Sequence, residues 1–216
     1  MPDQSRALRS PAFALAIGLA ALAGWVDAVA FVRLQRTFVS FMSGNGTRLA
    51  ASLSATYEPK APLLVCVVVA FVAGVIAGEW LASTMGRSGH PAVLLMESVF
   101  LFAAMGAAIP AASTLAPAVL LAAALGMQNA SVHEAGGISV ALTYVTGTLV
   151  HFGREIAGAL AGRRSWAAPL PYLFLWTALM VGAGGGAALA RVDAVLAIAV
   201  AAVTALVLAA MRSLNR

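Results

Sequence analysis

Hydrophobic and polar positions alternate along this chain on the scale of whole segments. Long apolar runs, each close to the ~20 residues that cross ~30 Å of hydrocarbon as a helix, are separated by short polar stretches. The runs lie at about 12–32, 38–56, 61–83, 91–109, 114–132, 138–161, 168–190 and 192–212. The pattern predicts an all-α, polytopic transmembrane helical bundle of about eight hydrophobic helices, with residues 1–216 in a single transmembrane domain.

The polar interruptions of the first half recur in the second half. The matched stretches are 24–28 with 126–130, 40–45 with 143–148, and the Gly-xxx-Gly pair Gly74 and Gly78 with Gly182 and Gly186. The match places Asp27 opposite Asn129 and Gly44 opposite Gly147. Ordered matches of this kind predict two weak internal repeats, as in many membrane transport proteins.

Two topologies are compatible with repeats at about 12–110 and about 111–212. If all eight segments cross the membrane, the repeats are parallel. If the glycine-bearing segments at 38–56 and 138–161 are re-entrant, six segments cross and the repeats are inverted. The lengths of these two segments favour full crossing, with some helices short or broken. Both termini are expected in the cytoplasm in either arrangement, although Arg33 and Arg36 then lie outside, against the positive-inside tendency.

Composition excludes a soluble protein and a nucleic-acid-binding protein. Hydrophobic residues make up 62% of the chain and charged residues only 10%, against roughly 25% charged residues in soluble domains. The net charge of +5 lies near the ends of the apolar runs, which is typical of anchoring and orientation in a bilayer. The single cysteine, Cys66, allows no intramolecular disulfide. The first apolar run is long enough to span, which favours a membrane helix over a cleaved signal.

A polar, glycine-rich patch at 43–48 interrupts the second apolar segment. Small residues that can cap a helix are followed there by Arg48, the pattern of a helix that restarts inside the membrane. Exposed backbone has no water to bind in lipid, so such a break must face protein or a water-filled cavity. A helix amino terminus beside Arg48 would favour an anionic or carbonyl-bearing solute. The alternative is that these small residues only allow helices to pack closely.

Two carboxyl groups lie inside apolar segments. Asp27 stands where a carboxylate costs about 2.5–3.5 kcal/mol to insert, and it could bind a proton, a cation or a substrate. It could equally pair with Arg33 or Arg48 and hold two segments together. Glu97 could be a relay carboxylate, but a snorkelling or hydrogen-bonded residue near the interface is favoured.

No enzyme site can be assembled from these residues. His151 and Glu155 have the spacing of a metal pair, but two ligands beside Arg154 favour an ion-paired helix end. The chain has no P-loop, HExxH, GxSxG or CxxC pattern. We therefore expect no catalytic residue, no metal site and no cofactor, and transport by this chain alone cannot be powered by ATP.

Four blocks, at 24–28, 38–45, 126–130 and 145–148, are similar to the signature blocks of the YoaK-like family of small bacterial inner-membrane proteins. The resemblance covers nearly the whole chain. It implies a multi-pass protein of the bacterial inner (cytoplasmic) membrane, of a kind often labelled a permease, and brings no established substrate or catalytic residue. Gly46 departs from the family pattern, which more usually has a hydroxyl or β-branched residue after the asparagine.

These features predict a secondary transporter or permease for a small polar solute, with a site near mid-membrane between the repeats. The residues expected to bind that solute are Asp27, Ser43, Gly44, Asn45, Arg48, Asn129, Thr146, Gly147 and Thr148. The expected partners are the lipid bilayer and an unknown solute, and the Gly-xxx-Gly faces could also join copies of the chain. The alternative is a non-transporting membrane scaffold or assembly protein whose motifs only pack helices.

Overall fold

A computed structural model describes residues 8, 10–54, 61–110, 113–131, 134–135, 138–139 and 145–214. Its helices are α1 Pro11–Arg33, α2 Met42–Ser54, α3 Ala61–Thr84, α4 Gly89–Ala108, α5 Leu115–Gln128, α6 Val145–Leu160, α7 Leu170–Val192 and α8 Ala194–Leu214. A 3-10 turn, Gly86–Ser88, precedes α4, and the two-residue strands β1 Glu134–Ala135 and β2 Ile138–Ser139 pair antiparallel between α5 and α6. The predicted all-α fold is confirmed.

Helix length separates the membrane-spanning helices from the short ones. Within the described residues five helices, α1, α3, α4, α7 and α8, are long and apolar enough to cross a membrane, and α5 is apolar but has only 14 residues. The glycine-bearing helices α2 and α6 have 13 and 16 residues. At 1.5 Å per residue they reach about 20 and 24 Å, less than the ~30 Å of hydrocarbon. The described lengths of α2, α5 and α6 are all below that of a fully crossing helix.

The ends of α1 are encoded locally. Ser10 caps the helix, since its side-chain oxygen accepts a hydrogen bond from the N–H of Phe13 at 3.1 Å, and Pro11 follows at the first helical position. Beyond the last residue of α1, Gln35 and Arg36 adopt positive φ angles of 55° and 60°. Two consecutive left-handed residues reverse the chain, so that the segment before α2 returns alongside α1.

Helices α1 and α7 pack backbone against backbone. Gly182 lies so close to the carbonyl of Ala21 that a Cβ would overlap it, and Gly186 lies in the same way against the carbonyl of Trp25. Residue numbers therefore rise together on the two helices, which means that α1 and α7 run parallel. The indole Nε1 of Trp25 also donates a hydrogen bond of 2.8 Å to the carbonyl of Ala197 at the start of α8.

Helices α3 and α5 pack in the same manner. A Cβ on Gly74 would overlap the carbonyl of Ala123, and one on Gly78 would lie 3.0 Å from the carbonyl oxygen of Met127. The numbers again rise together, so α3 and α5 are also parallel. The remaining core joins α1 and α5 to the buried faces of α4 and α8, which are rich in small and branched aliphatic side chains.

Candidate functional site

Asp27 organises the chain reversal between α1 and α2. One carboxylate oxygen accepts the backbone N–H groups of Val39 and Ser40 at 2.7 and 2.8 Å, and the other accepts the Ser40 hydroxyl. Asp27 lies about 9 Å along the helix axis before the end of α1, so residues 34–41 must fold back to reach it. We call this segment the α1–α2 turn. Its donors surround the carboxylate with three hydrogen bonds, which stabilise the ionised form.

Asn45 holds the same turn from α2. Its side chain is 0% exposed, and its amide bonds both ends of one residue: Oδ1 accepts the N–H of Phe38 at 3.2 Å, and Nδ2 donates to the carbonyl of Phe38 at 2.6 Å. Arg48, one turn further on, donates from Nη1 to the carbonyl of Arg36 at 2.6 Å. Asp27, Asn45 and Arg48 are thus gathered around the α1–α2 turn and directed at its backbone.

The small residues of the patch have different roles. A Cβ on Gly44 would lie 2.5 Å from the ring of Phe41, whose edge meets Phe38 at 5.3 Å between ring centroids, so this position needs glycine for aromatic packing. The carbonyl of Ser43 accepts the hydroxyl of Thr47 at 2.9 Å. Nothing lies within 4 Å of a Cβ on Gly46, and α2 is continuous through it, so the departure from the family pattern leaves the helix intact.

The second-half residues lie elsewhere. Asn129 caps the end of α5, where its Nδ2 donates to the carbonyl of Leu125 at 2.9 Å. At the start of α6 Thr146 is exposed, Gly147 is buried and Thr148 is partly buried. The preceding stretch at 140–144, which contains the predicted match to the α1–α2 turn, lies outside the described residues. The structure therefore gathers the first-half residues into one cluster but does not bring Asn129 to it.

A cavity of about 130 Å³ lies where four helices end or begin. It is lined by Val29, Arg33, Leu34, Ala108, Ser113, Thr114, Pro117, Leu121, Ala194 and Ile198. The lining joins the ends of α1 and α4 to the starts of α5 and α8, so these four termini share one end of the bundle. Nε2 of Gln35, beyond the end of α1, donates to the hydroxyl of Thr114 at 3.5 Å. A volume of this size holds about four water molecules, and none of the nine predicted residues lines it.

Residues 15–211 match the model of a family described as "Protein of unknown function (DUF1275)". The chain belongs to the DUF1275 family. It is also 35% identical over 203 residues to the UPF0700 transmembrane protein RA0705 of Rhizobium meliloti (strain 1021), a match that covers 93% of this chain and 86% of that protein. No solved structure matches. The expectation of a polytopic membrane protein is confirmed, whereas the narrower YoaK-like name and the inner membrane stay predictions.

Among the described polar side chains of this DUF1275 chain that are 0% exposed, Thr37, Glu97, Gln128 and Ser131 were not predicted as site residues. Glu97 is 0% exposed, and neither carboxyl oxygen has a hydrogen-bond partner among the described residues. Among the described residues Glu97 is therefore neither snorkelling nor hydrogen-bonded, whereas its location relative to the membrane interface stays a prediction. Gln128 is also 0% exposed; its Nε2 donates to the carbonyl of Leu19 at 2.8 Å, while its Oε1 has no described partner. The spacing of Glu97 from Val93 and Leu101 could have indicated the buried face of α4.

The polar residues of α6 form an ion-paired helix end. Nη1 of Arg164 donates to both carboxylate oxygens of Glu155, at 2.7 and 2.9 Å, and the ring of His151 stacks on Tyr172 with 5.2 Å between centroids. The preference for an ion pair over a metal pair is thus confirmed for Glu155. Within the described part of the DUF1275 chain, no group of three His, Cys, Asp or Glu side chains could hold a metal ion.

Proposed function

We propose that this chain is a secondary transporter or facilitator that moves a small polar solute across a bacterial inner membrane by means of two inverted repeats. One observation carries the proposal: the contacts of α1 with α7 are repeated by α5 with α3, and equivalent helices of the two halves run in opposite directions.

The contacts between α1 and α7 have counterparts between α5 and α3. Between α1 and α7, Gly24 lies against Leu179, Gly182 against Ala21 and Gly186 against Trp25. Between α5 and α3, the equivalent contacts are Gly126 against Phe71, Gly74 against Ala123 and Gly78 against Met127. One constant offset in residue number relates the members on α1 to those on α5. A second constant offset relates those on α3 to those on α7. Both agree with the match predicted from sequence, which supports treating each half as one repeat.

The buried faces of α4 and α8 also correspond. They contain Val93, Leu94, Glu97, Ser98, Leu101 and Ala104 in α4, and Ala197, Ile198, Ala201, Ala202, Ala205 and Leu208 in α8. The spacing between successive buried positions is the same in both series. Glu97 therefore corresponds to Ala201, so the two repeats differ in polarity at this position.

The directions of the helices support inversion. The cavity joins the end of α1 to the start of α5, and the end of α4 to the start of α8, so the members of each pair run opposite to one another. Since α1 is parallel to α7 and α3 is parallel to α5, α3 also runs opposite to α7. Such halves are related by an axis in the membrane plane, an arrangement found in many secondary transporters. This analogy supports a class of function and no particular solute.

Charge supports one orientation. Arg163 and Arg164 precede α7, Arg212 ends α8 and Arg87 lies between α3 and α4, all at the end of the bundle away from the cavity, whereas Arg33, Arg36 and Arg191 lie at the cavity end. Clusters of arginine beside transmembrane helices mark the cytoplasmic side. The cavity then opens on the opposite side, and both described ends of the helical bundle lie in the cytoplasm.

The chemistry of the cavity supports a small solute with an anionic or carbonyl group. Its polar lining consists of Arg33, Ser113 and Thr114, which offer a cation and two hydroxyls, above an apolar floor that includes Val29 and Leu121. At about 130 Å³ it is smaller than the ~300–1,000 Å³ of drug-sized ligand pockets.

The proposal is tested by ligand stabilisation of the purified protein. A panel of small carboxylates, amides and polyols is screened by thermal unfolding in detergent, because a ligand that binds only the folded state raises the apparent melting temperature. We expect at least one stabilising carboxylate or amide whose effect is lost in Arg33→Gln and kept in Arg36→Gln. The second variant is a matched control, since Arg36 lies in the same turn but does not line the cavity.

Uptake then separates binding from transport. The stabilising compound, in radiolabelled form, is offered to proteoliposomes that contain the wild type, Arg33→Gln or no protein. Uptake above that of empty liposomes by the wild type alone supports the proposal. Uptake equal to that of empty liposomes for every stabilising compound would contradict it.

A second candidate, a non-transporting scaffold, is favoured by one observation. Asp27 and Asn45 direct their hydrogen bonds at backbone and hydroxyl groups of the α1–α2 turn, which is what a purely structural motif would do. If the scaffold is correct, substitutions in this turn lower stability and no solute in the panel shifts the melting temperature.

A further inference from the structure

We propose that Glu97 and Gln128 form a proton-binding site that gains water from the cytoplasmic end when the repeats exchange conformations, and so couples transport to proton movement. The inference rests on the proposed function. It is carried by three features: the counterpart of the cavity at the other end of the bundle, the Glu97 carboxyl and the Gln128 amide oxygen, which have no partner among the described residues, and the apolar residues at the equivalent positions of the other repeat.

The repeat defines a counterpart of the cavity. The constant differences in residue number between equivalent helices give the counterparts of three residues that line the cavity, Val29, Leu121 and Ile198. The counterparts are Ser131, Leu19 and Leu94. These three counterparts are each 0% exposed, so the space between them is filled. Inverted repeats that exchange conformations would close the cavity at one end and open the counterpart at the other.

Glu97 and Gln128 stand at the floor of this counterpart. Glu97 lies one helical turn beyond Leu94 in α4, and Gln128 lies one turn before Ser131 in α5 and donates to the carbonyl of Leu19. Val93 belongs to one cluster with Met127 and Ala130, so the backbone of Gln128 lies near the level of Val93 on the neighbouring helix. Glu97 and Gln128 are therefore about one helical turn, or 6 Å, apart along the helix axes.

The other repeat shows that packing does not require polar groups here. The counterparts of Glu97 and Gln128 are Ala201 and Val26, both buried and apolar. A polar group buried without a partner costs free energy, and an unpaired charge costs more. Retaining Glu97 at a position where alanine packs in the other half indicates a use for its carboxyl group.

In the described conformation the carboxyl oxygens of Glu97 have no described donor, so the neutral acid is the form compatible with the site. When water reaches the counterpart, the O–H bond of Glu97 breaks, the proton passes to water, and a carboxylate remains that water and the Gln128 amide can solvate. Rebinding a proton restores the neutral acid and allows the site to close. One proton is carried per cycle, and no other reactant is needed.

Few other ionisable groups lie on the elements packed against α4. They are Cys66 and Glu79 in α3, Arg87 in the 3-10 turn and Arg212 in the last turn of α8, together with His90 in α4 itself. Helix α5 has none, and Glu79 is exposed. Proton uptake in the core of α4 is therefore assigned to Glu97.

Infrared spectroscopy tests the protonation. Reconstituted wild type and Glu97→Gln are compared for the carbonyl-stretch band of a protonated carboxylic acid near neutral pH. We expect the band in the wild type and a weaker band or none in Glu97→Gln. A band that is equal in both proteins, or missing from both, would overturn the proposal.

Cysteine accessibility tests the alternating exposure without any solute. Glu97→Cys and its matched control Ala201→Cys are made in a Cys66→Ser background, shown to be monodisperse, and treated with a membrane-impermeant maleimide from each side. We expect slow labelling of Cys at 97 only from the side of Arg87 and at 201 only from the cavity side. Labelling of position 97 from neither side, or from the cavity side, would contradict the proposed proton-binding site.

The two proposals fail separately. Solute uptake with negative results in both the infrared and the cysteine experiments leaves a transporter without this proton site. Positive results in both experiments with no uptake of any stabilising compound leave a proton site, and the proposed function falls.

Discussion

At the scale of single residues, the predicted site residues Asp27 and Asn45 stabilise a turn and direct their described hydrogen bonds at it. Asp27 and Asn45 bond three successive residues of the α1–α2 turn, and Gly44 leaves room for the aromatic ring beside it. Each bond holds backbone that would otherwise be unsatisfied inside a membrane. The patch was expected to face protein or a cavity, and the described bonds are to protein.

Asp27→Asn should therefore destabilise the fold. The amide keeps one acceptor oxygen but loses the charge and presents N–H donors where the turn also presents donors. Hydrogen bonds to a charged group contribute about 1.5–3 kcal/mol each, so we expect a clear fall in the melting temperature in detergent. Asp193→Asn is the control, because that exposed carboxylate caps α8 through a bond to Leu196 and asparagine caps equally well.

A different result of the melting experiment would indicate that Asp27 binds the solute. If Asp27→Asn melts like the wild type but no longer responds to a stabilising compound, the carboxylate contacts the solute and the turn does not depend on it. Equal losses of stability in Asp27→Asn and Asp193→Asn would mean that the three bonds of Asp27 contribute no more than a surface cap.

At the scale of helices, close approach of backbones defines the packing. Gly182→Leu should destabilise the protein, because the new side chain would overlap the backbone of α1 at Ala21, and overpacking costs typically 1–3 kcal/mol or more. Gly184→Leu, two residues away in α7, should be neutral or slightly stabilising, since a Cβ there has open space. Both variants remove a glycine from the same helix, so their difference in melting temperature isolates the contact. Equal melting temperatures would contradict the packing of α1 on α7.

The sequence predicted the elements well and their partners poorly. Apolar segment length located the helices, and the matched Gly-xxx-Gly pairs identified Gly74 and Gly182 as equivalent. The sequence could not indicate that each packs on a helix of the other half, because small residues permit a close contact without choosing its partner. The polar stretch after α1 predicted a turn, but not its left-handed backbone, since Gln35 and Arg36 adopt positive φ without the glycine that usually marks such a conformation. Burial of Glu97 depends on the helices packed around it and cannot be predicted from composition.

At the scale of the whole molecule, inversion has a consequence for topology that separates the two arrangements. If α2 and α6 do not cross, the connection between α4 and α5 lies outside the cell and the connection between α3 and α4 lies inside. If all eight helices cross, these two positions exchange sides. The connection between α6 and α7 is cytoplasmic in both arrangements and serves as an internal reference.

Single cysteines at Ser113, Ser88 and Ser165 report these three connections, in a Cys66→Ser background. Each of the three serines is exposed, so substitution should leave packing unchanged. An impermeant maleimide applied to intact cells should label Ser113→Cys at once, and should label Ser88→Cys and Ser165→Cys only after permeabilisation. Labelling of Ser88→Cys but not Ser113→Cys in intact cells would require eight crossings and parallel repeats, and the inverted arrangement would be wrong. The result therefore also decides whether the cavity and its counterpart lie on opposite sides of the membrane, which alternating access requires.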